Sequence, residues 1–173
     1  SEFTQLLLSM QDEKESEFVY SQLLRDILID AESSREEMVQ YCRQKYAGMQ
    51  SDLNVIHEFE QYYDSRRAIF WYTRDTFLYR WLNKALREQD IDTLYSLRYF
   101  IKDLHVQLRE RHTAQQHVDH SASLPAQVYR GQLMVLDEFN KKIRHHEGDN
   151  FAVSSFFSTT LLREKSVLYA GDG

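Results

Sequence analysis

The sequence predicts a mainly α-helical protein that ends in a partial α+β element. Glycine and proline are unevenly distributed, since residues 1–120 contain only Gly48 and no proline, whereas Pro125 and the remaining glycines come later. In the first part apolar residues recur at helical spacing, as they do between Phe77 and Leu86. Beyond residue 126 this periodicity gives way to short segments of alternating character.

Length and composition place the chain among ordinary globular proteins. It has 173 residues, of which 42% are hydrophobic and 28% charged, enough to bury a core in one domain or in a domain with an attached helical module. The formal net charge is −6, so no overall positive field is available to attract a polyanion. We therefore expect no general nucleic-acid partner.

Capping signals define a helical module over residues 1–115. Ser34 with Glu37 has the form of a capping box, Gly48 is placed to close the same helix, and Asp75 and Asp90 can cap two later helices. The helices are predicted at residues 11–30, 35–47, 52–63, 66–72, 76–88 and 91–111.

A loop is predicted from about His112 to Ala126, with the linker between the two parts at residues 116–126. The segment is polar, and its histidines admit a zinc site as an alternative. His117 and His120 have the three-residue spacing of helical ligand pairs, but His112 is five residues from His117 and the only cysteine lies far away. A solvated loop is favoured, and we predict no metal.

The C-terminal part, residues 127–173, is predicted to contain a strand, a helix and a second strand. The strands are predicted at residues 127–131 and 151–160, and the helix at 137–146, closed near Gly148. Alternation along the second strand puts one set of side chains on one face: Val153, Ser155, Phe157 and Thr159. It puts another set on the opposite face: Ala152, Ser154, Phe156, Ser158 and Thr160. Neither face is purely apolar, which suggests a strand that borders a site.

Residues 66–81 contain a mixture of basic and aromatic residues, a composition found both in single-strand stacking platforms and in core helices. Because the aromatic side chains are in register with Leu82 and Leu86, core packing is the favoured interpretation. Arg74 and Arg80 remain candidates for contact with the phosphate of a small ligand.

The single cysteine, Cys42, cannot form an intramolecular disulfide, and it is expected to be a buried small apolar residue. This favours a reducing compartment or makes no demand on compartment, and we predict a cytoplasmic protein, with secretion after removal of a leader left open. Apolar runs such as residues 6–8 are far too short to span a membrane, so no membrane partner is expected.

Two short segments of the C-terminal part contain side chains that could bind a ligand. In the segment Val128-Tyr129-Arg130-Gly131, the guanidinium of Arg130 is planar and permanently charged. The next residue, Gly131, has no side chain, so a ligand can approach the backbone closely. Residues 155–160, Ser-Phe-Phe-Ser-Thr-Thr, place hydroxyls among aromatic rings. Taken singly, the first could be a turn and the second an exposed sheet face.

The order and spacing of these segments resemble the first half of the catalytic domain of mono-ADP-ribosyltransferases of the arginine–serine–glutamate class. The resemblance covers residues 127–173, and residues 66–92 are similar, less specifically, to the helical region that precedes that domain in animal members. It implies an ADP-ribosyltransferase-like fold, of which this chain holds the first strands.

The resemblance also implies NAD as the cofactor and assigns its contacts. Arg130 matches the arginine that grips the NAD phosphates, Gly131 would offer backbone groups to the nicotinamide carboxamide, and Tyr129 belongs to the same motif.

The remaining matches lie downstream. Ser158 matches the serine that bonds the ribose side of NAD and orients the catalytic glutamate, a supporting role in catalysis, and Thr159 would buttress it. Tyr169 is a candidate for the aromatic residue packed on nicotinamide, or alternatively a helix core position.

Two positions depart from the family pattern. Thr160 replaces the third residue of Ser-Thr-Ser and keeps its hydroxyl. The Glu-x-Glu motif has no counterpart after Ser158, because Glu164 is too close to the serine segment. We therefore expect this piece to be nearly inert, with the remaining half of the domain supplied by a second polypeptide, a nicked C-terminal fragment or a dimer mate.

The resemblance implies that the intact protein is an NAD-dependent enzyme that transfers ADP-ribose to a protein side chain, with arginine as the acceptor. Its partners would then be the protein substrate and the remaining half of the catalytic domain. The alternative, from a different class, is a helical protein-interaction module in which the two C-terminal segments are incidental. A third possibility is an auxiliary or inhibitory partner with the shape of an NAD site.

Overall fold

The computed structural model describes residues 13–117, 127–144 and 156–170, and within them the side chains of residues 22–115, 127–141, 143–144 and 156–168. The chain divides into two compact units, residues 1–117 and 118–173. The first contains α1 (Glu13–Asp30), α2 (Arg35–Lys45), α3 (Gln50–Tyr62), a 3₁₀ turn (Ser65–Arg67), α4 (Ala68–Thr73), α5 (Phe77–Glu88), α6 (Ile91–Ser96) and α7 (Arg98–His117). The second contains α8 (Leu136–Lys142) and α9 (Arg163–Ala170).

Polar caps fix where two of the helices begin. The Ser34 hydroxyl accepts a hydrogen bond from the Glu37 amide at 3.1 Å, and a carboxylate oxygen of Asp90 accepts one from the Thr93 amide at 3.1 Å. Each satisfies an amide that has no partner inside its helix. Both predicted caps are confirmed. Asp75 caps nothing; α5 begins after Thr76, and Asp75 instead pairs with a residue of that helix.

Two residues with left-handed backbone conformation mark turns after helices. Gly48 has φ +84°, a conformation that costs glycine little, two residues after the C-cap of α2, Tyr46. Gln89 takes φ 53° as the C-cap of α5, and its amide bonds back to the Ala85 carbonyl. Each turn lets the chain reverse toward the next helix.

The core of the first unit is apolar and rich in aromatic rings. The predicted helical character of the chain is confirmed, with α7 packed against α1, the 3₁₀ turn and α4, while α2 packs on α3 and α5 on α6. The largest fully buried side chains are Phe100, Met38, Ile56, Leu78, Leu82, Leu94, Leu97, Leu104 and Cys42. Among the described helices, none has the length and apolar character needed to cross a membrane.

The helix predicted at residues 91–111 is in fact two, α6 and α7, separated at Leu97. Leu97 is fully buried and has helix-ending dihedral angles, φ −92° and ψ 3°. The Arg98 guanidinium donates to the Tyr95 carbonyl at 2.7 Å, which satisfies the end of α6 with a side chain.

The loop predicted from His112 is also wrong at its start, because α7 continues to His117. Residues 111–115 are all exposed, so this last stretch lacks the apolar stripe on which the prediction relied. The rest of the predicted linker, residues 118–126, lies outside the described part of the chain.

The two predicted strands reduce to a single antiparallel bridge between Tyr129 and Thr160 in the part that the structure describes. On one side the next rung would join Gly131 to Ser158, but the Ser158 amide bonds to Phe156 and its carbonyl accepts from the Arg130 guanidinium. These local bonds occupy the groups that a longer ladder would need.

On the other side of the bridge the next rung would involve Leu162. Its amide is held by the Thr160 hydroxyl at 3.2 Å, and its carbonyl accepts from the amides of Lys165 and Ser166 at the start of α9. Residues 151–155 of the second predicted strand lie outside the described residues. The helix predicted at residues 137–146 is present in shorter form as α8.

Candidate functional site

The candidate site is built on the bridge between Tyr129 and Thr160. The two residues exchange both backbone hydrogen bonds, each at 2.8 Å, which fixes their register. Arg130 follows Tyr129 directly, and Ser158 precedes Thr160 by two residues. The bridge therefore brings the Arg130 guanidinium and the Ser158 hydroxyl together.

Arg130 and Ser158 are in direct contact. Nη1 of Arg130 donates to the Ser158 carbonyl oxygen at 3.1 Å and lies 3.4 Å from its Oγ. Both residues are half-buried. A guanidinium keeps its proton at any accessible pH, so Arg130 cannot serve as a base for the Ser158 hydroxyl. The pair is suited to binding an anion and a hydroxyl, and not to making a serine nucleophile.

Two neighbours of Arg130 were not foreseen from the sequence. The Oε1 atom of Gln132 accepts from Nε of Arg130 at 3.1 Å, and the Phe157 ring lies under the guanidinium, 4.7 Å from Cζ. A cation over an aromatic face is attracted to it. The position of Gln132, two residues after the arginine, was the only sequence signal for the first contact.

The alternation predicted for residues 151–160 placed Phe157 and Ser158 on opposite faces, and this is wrong. Both contact Arg130, because residues 156–159 do not form a strand and the Ser158 amide turns back to the Phe156 carbonyl at 3.1 Å. One guanidinium is thereby contacted by consecutive side chains.

The other predicted site residues have differing surroundings. Tyr129 and Gly131 are half-buried beside Arg130, and Thr159 is exposed. Tyr169 lies in α9, and its side chain is outside the described part of the structure. Glu164 is exposed in the first turn of α9, so it stands on a helix and not on a strand.

In the helical unit, the aromatic residues of the segment 66–81 are largely core residues. Trp71, Tyr72, Phe77 and Trp81 are all buried. The prediction of core packing is confirmed for these four rings.

Arg74 and Arg80, the two arginines of residues 66–81 that were candidates for phosphate contact, both form ion pairs. Arg74 forms a bidentate pair with Glu58, both contacts at 2.8 Å, and this hydrogen bonding holds the pKa of Glu58 below its ordinary value. Arg80 pairs with Asp75 at 2.8 Å. A phosphate would have to displace a carboxylate at either one.

The remaining chemical candidates show no assembled site among the residues that the structure describes. Cys42 is buried, as predicted, and burial raises the pKa of its thiol to about 12. A small apolar cavity lies beside it, lined in part by Val39, Ile56 and Trp71. Among the described residues, no group of three His, Cys, Asp or Glu side chains is arranged to hold a metal ion. The side chains of His117 and His120 lie outside the described residues.

Comparison of the chain with protein-family models, with curated proteins and with solved structures found no significant match.

Proposed function

We propose that the chain carries the arginine–serine half of an NAD-binding site, and that the intact protein is a mono-ADP-ribosyltransferase. The observation that supports this most directly is the contact of Arg130 Nη1 with the Ser158 carbonyl at 3.1 Å and with its Oγ at 3.4 Å. The motif resemblance alone says nothing about distance. The contact places a phosphate-binding group and a ribose-binding group next to each other, as adjacent parts of one dinucleotide require.

Each group at the site suits a part of NAD. The Arg130 fork can donate to the diphosphate, with the charge-assisted strength that phosphate oxygens give. The Ser158 hydroxyl can donate or accept at the nicotinamide ribose. Gly131 has no Cβ, so its peptide groups can lie close to a flat carboxamide. Tyr129 and Thr159 flank these positions.

In the proposed reaction the bond between the nicotinamide nitrogen and the ribose C1′ breaks, and nicotinamide leaves with the bonding electron pair. A nucleophilic nitrogen of the protein acceptor, which we propose to be an arginine side chain, then bonds to C1′ and loses a proton. A carboxylate must stabilise the positive charge that develops on the ribose. Residues 159–173 contain a single glutamate, Glu164, and no Glu-x-Glu. We propose that the carboxylate comes from the remaining half of the catalytic domain, in cis or in trans.

One observation favours the alternative function, a helical protein-interaction module without catalysis. The buried hydrophobic residues of the described chain all lie between Leu28 and Leu104, within the helical unit. In the second unit Ser166 is the only described residue that is buried, and large apolar side chains such as Leu133 and Leu168 are 77% and 76% exposed. Among the described residues, the buried apolar core therefore belongs to the helical unit.

Calorimetric titration of the 173-residue chain with NAD separates the two functions. We expect binding by the wild type, loss of at least about tenfold in affinity in Arg130→Ala, and a smaller loss in Arg130→Lys, which keeps the charge but not the fork. Arg144→Ala is the matched control, because Arg144 is an exposed arginine of the same unit and lies outside the site.

The NAD-site proposal is abandoned if the wild type and Arg130→Ala give the same heats, or if Arg144→Ala weakens binding as much as Arg130→Ala does. Either result leaves the interaction module as the function that the fold supports.

A further inference from the structure

The Arg130 guanidinium is contacted on three sides by its own chain. Gln132 Oε1 accepts from Nε at 3.1 Å, Ser158 accepts at Nη1, and the Phe157 ring covers one face with its centroid 4.7 Å from Cζ. Arginine is among the side chains that lose most rotamer freedom when they are fixed. A guanidinium that is already fixed loses less of that freedom when a ligand binds.

We propose that Gln132 is a positioning residue that, together with Phe157, presets the plane of the Arg130 guanidinium for phosphate binding. This inference rests on the proposed function and deepens it. The Gln132 carboxamide and the Phe157 ring constrain different motions. The hydrogen bond at Nε limits rotation of the guanidinium within its plane, and the ring limits tilting out of that plane.

The chemistry of Gln132 suits this task. A carboxamide oxygen accepts the Nε–H without adding a negative charge, whereas a carboxylate at the same place would neutralise the guanidinium and repel a phosphate. Gln132 is exposed, so the hydrogen bond competes with water and is expected to be modest in strength. Phe157 adds a cation–π contact on a ring that is itself 48% exposed.

The contacts also select the edge of the guanidinium that a phosphate would use. Nε donates to Gln132, and Nη1 donates to Ser158. Nη2 makes no hydrogen bond to a residue within the described ranges, 13–117, 127–144 and 156–170. The oriented fork would therefore present its Nη2 side to an anion, and Gln132 would determine the direction in which that side faces.

The first test needs no ligand. In the ¹⁵N-labelled full chain, the Arg130 Nε–H resonance is assigned by its loss in Arg130→Lys, and its exchange with water is then measured. Gln132→Met keeps the side-chain length and removes the acceptor, so exchange should quicken about threefold or more, as expected for the loss of one partly exposed hydrogen bond. Gln132→Glu keeps an acceptor and should exchange as slowly as the wild type.

Gln127→Met is the matched control, since Gln127 is an exposed glutamine on the other side of the bridge. It should leave the Arg130 resonance unchanged. Equal Nε–H exchange in wild type and Gln132→Met overturns the proposal, as does equal acceleration in Gln132→Met and Gln127→Met.

The second test is NAD affinity, where Gln132→Met should bind about 3- to 10-fold more weakly than the wild type, the ratio expected for immobilising one long side chain. Equal affinity overturns the positioning role even if the resonance moves. Failure of the proposed function looks different: the wild type itself then binds no NAD, while the exchange measurements still decide whether Gln132 orients Arg130.

Discussion

The Arg98 guanidinium donates to the Glu37 carboxylate at 2.7 Å and so joins the first turns of α7 and α2. The Arg98 side chain is only 6% exposed. Its Nε donates to the Glu32 carbonyl and its Nη1 to the Tyr95 carbonyl, both at 2.7 Å. One buried cation thus satisfies two backbone carbonyls near helix ends and one carboxylate, which makes it the polar centre of the helical unit.

Replacing Arg98 with methionine should therefore lower the free energy of unfolding of the helical unit by about 2–4 kcal/mol, because three acceptors lose a charged donor together. Urea unfolding followed by tryptophan fluorescence measures this. Both tryptophans of the chain, Trp71 and Trp81, lie in the helical unit and are buried, so the signal reports that unit. A change below about 0.5 kcal/mol, the range of ordinary surface substitutions, would contradict the assignment.

Arg25→Met is the matched control for that experiment. Arg25 pairs with Asp26 at 2.8 Å, but both side chains are about half exposed, 46% and 58%. Exposed pairs of this kind contribute little to stability. The control variant should unfold at nearly the same urea concentration as the wild type.

The pair of Tyr63 and Asp103 predicts a pH dependence of stability. The Tyr63 hydroxyl donates to Oδ2 of Asp103 at 2.9 Å, and burial raises the pKa of Asp103 above its ordinary 3.8 although this hydrogen bond and the charges of Arg35 and Lys102 oppose the rise. Between 3.8 and the raised value the folded state binds more protons than the unfolded state. The contribution of Asp103 is therefore lost as the pH rises through that range.

Asp103→Asn keeps an oxygen acceptor for Tyr63 and removes the charge. Relative to the wild type, it should gain more stability at pH 7 than at pH 4, and urea unfolding at both pH values gives that difference. An equal change in stability at the two pH values would show that folding does not raise the pKa of Asp103, and a larger destabilisation at pH 7 than at pH 4 would show that the charged carboxylate is a favourable partner.

The thiol of Cys42 should be unreactive in the folded protein. It is 2% exposed, and burial raises its pKa from 9.0 to about 12, which lowers the thiolate fraction at pH 8 about 10³-fold. Labelling with an aromatic disulfide reagent should therefore be slow until the helical unit unfolds. Ser51→Cys adds an exposed thiol to the same protein as an internal standard. Simultaneous reaction of the two thiols would show that the core around Cys42 opens readily.

Much of the helical unit could be predicted from sequence because its signals are local. The caps at Ser34 and Asp90 act within three residues, and the apolar stripe of α5 is read directly from Phe77, Leu78, Trp81 and Leu82. The end of α7 could not be predicted, because the local signal is absent there. Its last residues are exposed, so no stripe marks them as helical.

The candidate site was only partly predictable. Arg130 and Ser158 could be named from their motifs, whereas the contacts of Gln132 and Phe157 depend on how one guanidinium turns, which residue spacing does not encode. The strand predictions failed where side chains form the hydrogen bonds that backbone groups of a neighbouring strand would form in a sheet. The Arg130 guanidinium takes the Ser158 carbonyl, and the Thr160 hydroxyl takes the Leu162 amide.

Turnover of NAD by the 173-residue chain should be negligible. If the 173-residue chain binds NAD as proposed, it should release nicotinamide from saturating NAD no faster than Arg130→Ala does. If the stabilising carboxylate is not among these residues, as proposed, the rate should be at least about 10²–10³-fold below that of an enzyme that has one. Liquid chromatography of nicotinamide over several hours, with and without an arginine-rich acceptor protein, measures it.

Nicotinamide release by the wild type that disappears in Arg130→Ala would contradict this, because it would require a carboxylate already present in the chain. Glu164 is then the first residue to examine, as the one glutamate after Ser158. It stands exposed in the first turn of α9, four residues beyond Thr160 of the bridge. Loss of the activity in Glu164→Gln, with NAD affinity retained, would assign the missing carboxylate to that helix and remove the need for a second half of the domain.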